Sequence, residues 1–293
     1  MRLIIGFLLY WISTNGYMML LVEKFKVKKE FSFTIFAALL IIILFLSSIL
    51  NMLLITSIII FIGGFLSYFY LYKNKLLNKD VFKSFFDYKS ILFIICVLYF
   101  TIICSQLHLM HYDNFSHWAL SIKQLFLYNT LDSFKYNVDI FTSYPPGSSL
   151  FIYYFGLIFS KNEIAMLIGQ AYLNLAFMMP ITILFNDKKK VKSCILFIVL
   201  VLVFSCINIK LNELLVDTTL GLMGITTFIY TLINRDDYKK CFYGLTLFSI
   251  LFMLVKNSGI VFVLLNGILF YMVLKHNNKV KEGRKYLILM LMK

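Results

Sequence analysis

Residues Ile35–Leu46 read IFAALLIIILFL, twelve apolar residues in succession. A soluble amphipathic helix would break such a run with polar positions every three or four residues. A strand of a membrane barrel would alternate polar and apolar side chains. This stretch does neither. Extended to Ser32–Leu50, it approaches the roughly 20 residues that a helix needs to cross a hydrocarbon core of about 30 Å. A helix also satisfies its own backbone amides there, which lipid requires.

The pattern recurs along the chain, which is 61% hydrophobic and only 14% charged; soluble domains are nearer half and a quarter. Nine spans are expected: Leu3–Val22, Ser32–Leu50, Met52–Tyr72, Ser90–Leu107, Ile164–Phe185, Ser193–Ile209, Leu215–Ile233, Cys241–Val255 and Gly259–Leu274. The fold class is therefore all-α, a polytopic integral membrane protein forming one transmembrane domain over 1–293. Four spans fill 1–107, an external loop fills 108–163, and five spans follow in 164–293. At 15 residues, 241–255 rises only about 22 Å and needs a thinned bilayer or a neighbouring helix. Tyr286–Met292 is too short to span and reads as the start of a tenth helix cut off. The N-terminal MRLIIGFLLYWI has signal-peptide character but no small-residue cleavage site after it, so a retained first span is expected.

Net charge is +14, a value that could suggest nucleic acid. Its placement argues for a membrane instead. Strips 23–31, 73–89, 186–192, 234–240 and 275–285 hold 21 of the 28 basic residues and a net +13. Short basic loops between spans are the signature of the cytoplasmic face. One segment disturbs the alternation: were Ser148–Phe159 a span, strip 186–192 would fall outside. At twelve aromatic-rich residues it is better read as an interfacial helix on the outer surface. All five strips then lie inside, and residues 108–163 form one large external loop. Long loops among short connections usually carry function. Cys96, Cys104, Cys194, Cys206 and Cys241 are odd in number, lie in apolar runs and lack metal-type spacing; they read as buried hydrophobes.

The external loop opens with HLMHYDNFSHWALSIKQLF, 108–126. On a helix Asp113 and His117 share a face at i, i+4, with His108 and His111 just before. A carboxylate beside imidazoles can act as a general base or bind a metal; equally, such residues solvate a loop and cap the next helix. The loop closes with Ser143-Tyr144-Pro145-Pro146-Gly147, where two prolines stiffen a helix start. Tyr144 is either an aromatic anchor at headgroup level or a substrate contact. Lys256 and Lys210, few among external cations, can neutralise a phosphate or snorkel to the interface. Glu213 and Asp217 share a helical face at i, i+4 and read as helix N-terminal acids, or as an acceptor or cation site.

YDNFSHW, then about 25 residues, then YPPG resembles bacterial membrane glycosyltransferases of the GT-C superfamily. The later LNELLVD (211–217) and LVKNSG (254–259) resemble further parts of the same pattern, and the likeness covers roughly 100–275. It implies transfer of a sugar from a polyprenyl-phosphate-linked donor to a cell-envelope glycan or lipid acceptor, outside a bacterial plasma membrane. Asp113 would be the catalytic base, His117 and Trp118 the histidine–aromatic element after it. Trp118, Tyr144, Lys210, Glu213, Asp217 and Lys256 would contact substrate. Many relatives carry a second acid where this chain has Asn114, which leaves a divalent cation an open question. Three spans precede the loop's own span, unlike the best-known members, and the superfamily's C-terminal part is missing. The implied partners are donor, acceptor and bilayer, not nucleic acid. The alternatives are a transporter or flippase subunit and an inactive fragment of a glycosyltransferase. A transporter would place ionisable residues at span centres and break paired helices; the spans here are largely uncharged, and only Pro180 interrupts one.

Overall fold

A computed structural model describes residues 2–76, 87–131, 143–185, 187–203, 205 and 211–291. Among these residues all regular structure is helical. The helices are α1 (Arg2–Glu23), α2 (Lys29–Ile49), α3 (Leu53–Lys73), α4 (Tyr88–Cys104), α5 (Ala119–Tyr128), α6 (Gly147–Ile158), α7 (Glu163–Met178), α8 (Lys190–Val203), α9 (Asp217–Ile233), α10 (Tyr238–Val255), α11 (Ile260–His276) and α12 (Val280–Leu291). Six are long and apolar enough to cross a bilayer: α1, α2, α3, α10, α7 with its continuation to Leu184, and α11 with its leading turn. At 17 residues, α4 and α9 rise only about 25 Å. The described part of α8 has 14 residues. Among the described residues the structure thus gives a helical membrane-type protein with six full-length candidate spans, the other three expected spans falling on the shorter α4, α8 and α9.

Helix approach follows the rule for apolar solvents, where small residues and side-chain hydrogen bonds replace the hydrophobic effect. Gly16 on α1 lies so close to α3 that a Cβ there would stand 2.0 Å from the Gly64 carbonyl oxygen. Around this contact Ser13 Oγ donates to Phe61 O (2.8 Å), Tyr17 Oη to Ile60 O (2.8 Å) and Tyr68 Oη to Ile12 O (2.9 Å). Deeper in, Gln170 Nε2 on α7 donates to Thr219 Oγ1 on α9 (2.9 Å), which donates to Asn174 Oδ1 (2.6 Å). Cys96, Cys104 and Cys241 are buried and Cys194 half-buried, all as free thiols. Cys206 lies outside the described residues.

The expected surface helix at Ser148–Phe159 is a helix, but not on a surface. Residues 147–156 of α6 are all buried, enclosed by α1, α2, α5, α7 and α10. Tyr10, Phe155 and Tyr172 interlock beside it, with Tyr10–Phe155 and Phe155–Tyr172 ring centroids 4.9 and 5.3 Å apart. Gly156 admits the Phe126 ring, which a Cβ would meet at 2.3 Å. A short helix that is apolar on every side has no polar face to offer to headgroups, so it is surrounded by protein.

The basic strips meet. Lys29 pairs with Asp87 (2.6 Å) and Lys89 with Glu30 (2.8 Å), joining the first two. The Lys190 ammonium sits 5.5 Å from the Tyr88 ring. His276 Nε2 lies 3.0 Å from Asp236, and Asn277 Nδ2 donates to Arg235 O (2.7 Å), joining the last two. Phe31 packs on Tyr230 (5.3 Å), whose hydroxyl donates to Lys240 O (3.2 Å), connecting the pairs. The described parts of all five strips therefore share one end of the helical body. Residues 77–86 of the second strip and 186 of the third lie outside the described set.

Candidate functional site

At the other end, four separate chain segments are tied together in pairs by side-chain amides. Asn114, fully buried, donates through Nδ2 to Asn212 O (3.1 Å) and accepts at Oδ1 from Leu214 N (2.9 Å). Met110 N adds a bond to Asn212 O (3.3 Å). Asn257 Nδ2 donates to Ser143 O (3.1 Å), holding the Tyr-Pro-Pro turn beside the start of α11. Gly147 completes that junction: a Cβ there would stand 2.4 Å from Leu254 O. Glu163, at the start of α7, accepts from Leu109 N (2.5 Å) and lies 3.9 Å from His108 Nδ1.

Asp113 projects from this scaffold with its side chain about one-third exposed, its carboxylate 3.6 Å from His111 Nδ1. A hydrogen bond from the Tyr112 phenol to the same carboxylate, reinforced by its charge, raises the Tyr112 pKa. His117 and Trp118 are buried in a π-helical turn, Asn114–Trp118. Turns of this kind are rare and recur at functional sites. The His117 ring packs 4.6 Å from Trp118 and 4.6 Å from Tyr144, and Trp118 stands 5.7 Å from Tyr144. Histidine, Trp118 and Tyr144 thus form one aromatic cluster, with Tyr144 its most exposed member (39%). Aromatic faces of this kind stack on apolar faces of ligands and orient them.

One expectation changes. Glu213 and Asp217 do not share a helical face, because α9 begins at Asp217 and residues 213–216 are not helical. Lys256 is held in an ion pair: its ammonium lies 2.5 Å from Asp217 Oδ1, with side-chain exposures of 23% and 65%. An ammonium has three donors, so this pairing leaves capacity for a further anionic partner. Asp113 lies against His111 and Tyr112, whereas His117 turns inward to the aromatic cluster. Lys210 lies outside the described residues.

Asn114, Asn257 and Glu163 were not singled out as site residues by the sequence. Only Asn114 gave a signal, as the amide standing where an acid was expected. The structure supplies its reason, since a carboxylate could accept from Leu214 N but could not donate to Asn212 O. For a divalent cation, no three His, Cys, Asp or Glu side chains gather as a ligand set among the described residues. Comparison with known families, curated proteins and solved structures returns no match to this chain.

Proposed function

We propose that the protein is a membrane glycosyltransferase that moves a sugar from a polyprenyl-phosphate-linked donor to an acceptor on the outer face. The observation that carries the reading is the convergence of Asp113, the His117–Trp118–Tyr144 cluster and the Lys256–Asp217 pair at the end remote from the basic strips. Nine crossings, with α4, α8 and α9 as the shorter ones, set that end outside and the strips inside. These residues come from four stretches that resemble successive parts of one glycosyltransferase pattern.

In this reading Asp113 takes the proton of the acceptor hydroxyl as the new glycosidic bond forms at the donor's anomeric carbon. The bond to the departing phosphate breaks, and Lys256 offsets the charge that develops there. His111 and Tyr112 flank the carboxylate; Tyr144, packed on the buried His117 and Trp118, presents aromatic surface to the sugar. Asp113→Asn keeps the shape but cannot accept the proton, and transfer falls by about 10²–10⁴. Sugar transfer from a lipid-linked donor in membranes measures this, with the exposed Asp236→Asn at the opposite end as a near-neutral control. Wild-type transfer by Asp113→Asn removes the catalytic assignment.

A further inference from the structure

A second feature lies at the basic end, away from the candidate site. A slot of about 320 Å³ runs between α1, α2, α4 and the turn after α7. Its walls are Phe7, Trp11, Phe33, Phe93 and Met179, and its rim is Lys29, Glu30 and Lys89. The lining residues of α1 run from Phe7 to Met19, a rise of about 18 Å. That is close to one leaflet, half of a hydrocarbon core of about 30 Å. Ile94 and Leu98 border the slot and are each 46% exposed, so it opens outward along α4.

The rim is built for a charged headgroup. Two ion pairs, Lys29–Asp87 and Lys89–Glu30, sit there with three of their four side chains under 20% exposed. The start of α2, which has no side-chain cap at Lys28, lies at this rim, whereas the start of α4 is capped by Asp87, which accepts from Ser90 N. Helix N-termini and lysines favour phosphate oxygens together. The slot's length matches one acyl chain of the adjoining leaflet. A polyprenyl chain would overhang it.

We infer that this slot holds a phospholipid of the leaflet at the basic end, one acyl chain along α1 and α4 and its phosphate at Lys89 and the start of α2. The inference does not depend on the glycosyltransferase reading. Trp11 lines the slot and the chain's other tryptophan, Trp118, lies at the opposite end, so Trp11 fluorescence reports occupancy. The full chain in detergent micelles is titrated with phosphatidylglycerol brominated on one acyl chain, and in parallel with the matching brominated diacylglycerol. Phosphatidylglycerol should half-quench at a concentration about tenfold lower, the size of one charge-assisted headgroup contact. Glu30→Gln with Lys89→Gln, which removes a pair without stranding a charge, should erase that advantage. Ile94→Phe with Leu98→Phe narrows the mouth from exposed positions and should weaken quenching by both lipids. Equal quenching by the two lipids, or quenching indifferent to both variants, overturns the site. Displacement of the brominated phospholipid by polyprenyl phosphate at lower concentration than by plain phosphatidylglycerol overturns the choice of occupant.

Discussion

Asn114 holds two backbone segments about a hundred residues apart with one side chain, using each end of its amide differently. Asn114→Asp keeps the bond from Leu214 N, loses the one to Asn212 O and buries a charge beside that carbonyl. Leaving a buried polar group unsatisfied costs about 1–3 kcal/mol. Thermal unfolding in detergent should show that loss, and an unchanged midpoint would mean that the amide does not brace the site. Asp87 offers a residue-scale test at the other end. Burial pushes its pKa up, but hydrogen bonds from Lys29 and Ser90 and the Lys29 charge outweigh it, and the net pKa is lowered. A carboxylate with a depressed folded pKa contributes stability above its unfolded value of about 3.9, lost as pH falls through the folded value. Between about pH 5 and 3, the wild type should therefore lose more thermal stability than Asp87→Asn. Parallel acid profiles for the two would refute the Lys29–Asp87 contribution. Pairings such as Lys256–Asp217, 39 residues apart, were not legible from sequence because nothing in local spacing encodes them.

At the scale of elements, apolar run length was a sound guide. Leu3–Val22, Met52–Tyr72 and Gly259–Leu274 fall within two residues of α1, α3 and α11. The extent of α6 was legible too; its location was not. A run apolar on every side looks the same whether lipid or protein surrounds it, and only the fold shows that α6 is enclosed. The shared face expected of Glu213 and Asp217 failed for another reason, since periodicity cannot say where a helix begins when an apolar run, Leu214–Val216, continues before it. Two glycines separate packing from propensity. Gly16→Ala meets the Gly64 carbonyl and forces α1 from α3, at a cost of about 1–3 kcal/mol. Gly221, within α9, has nothing beyond its chain neighbours and its own helix backbone within 4 Å of an added Cβ, so Gly221→Ala should stabilise by about 0.5–1 kcal/mol. Detergent unfolding of both variants checks the pair, and equal effects would contradict the close α1–α3 contact.

The whole molecule has two ends of different chemistry. Basic strips from five connections meet at one, joined by ion pairs and ring contacts. At the other, residues 108–118, 143–147, 211–217 and 256–257 are joined by amide bonds and one ion pair. The clustering of basic residues into five strips is legible in the sequence; which residues meet within each end is not. The proposed function requires these ends to lie on opposite faces of a membrane, with the candidate site outside. The direct measurement is labelling of single cysteines by an impermeant thiol reagent in intact cells, on a background free of native cysteines. A cysteine at Asn129, beside α6, should be modified from outside, and one at Lys190 only after the membrane is opened. Labelling of Lys190 but not Asn129 in intact cells would contradict the account.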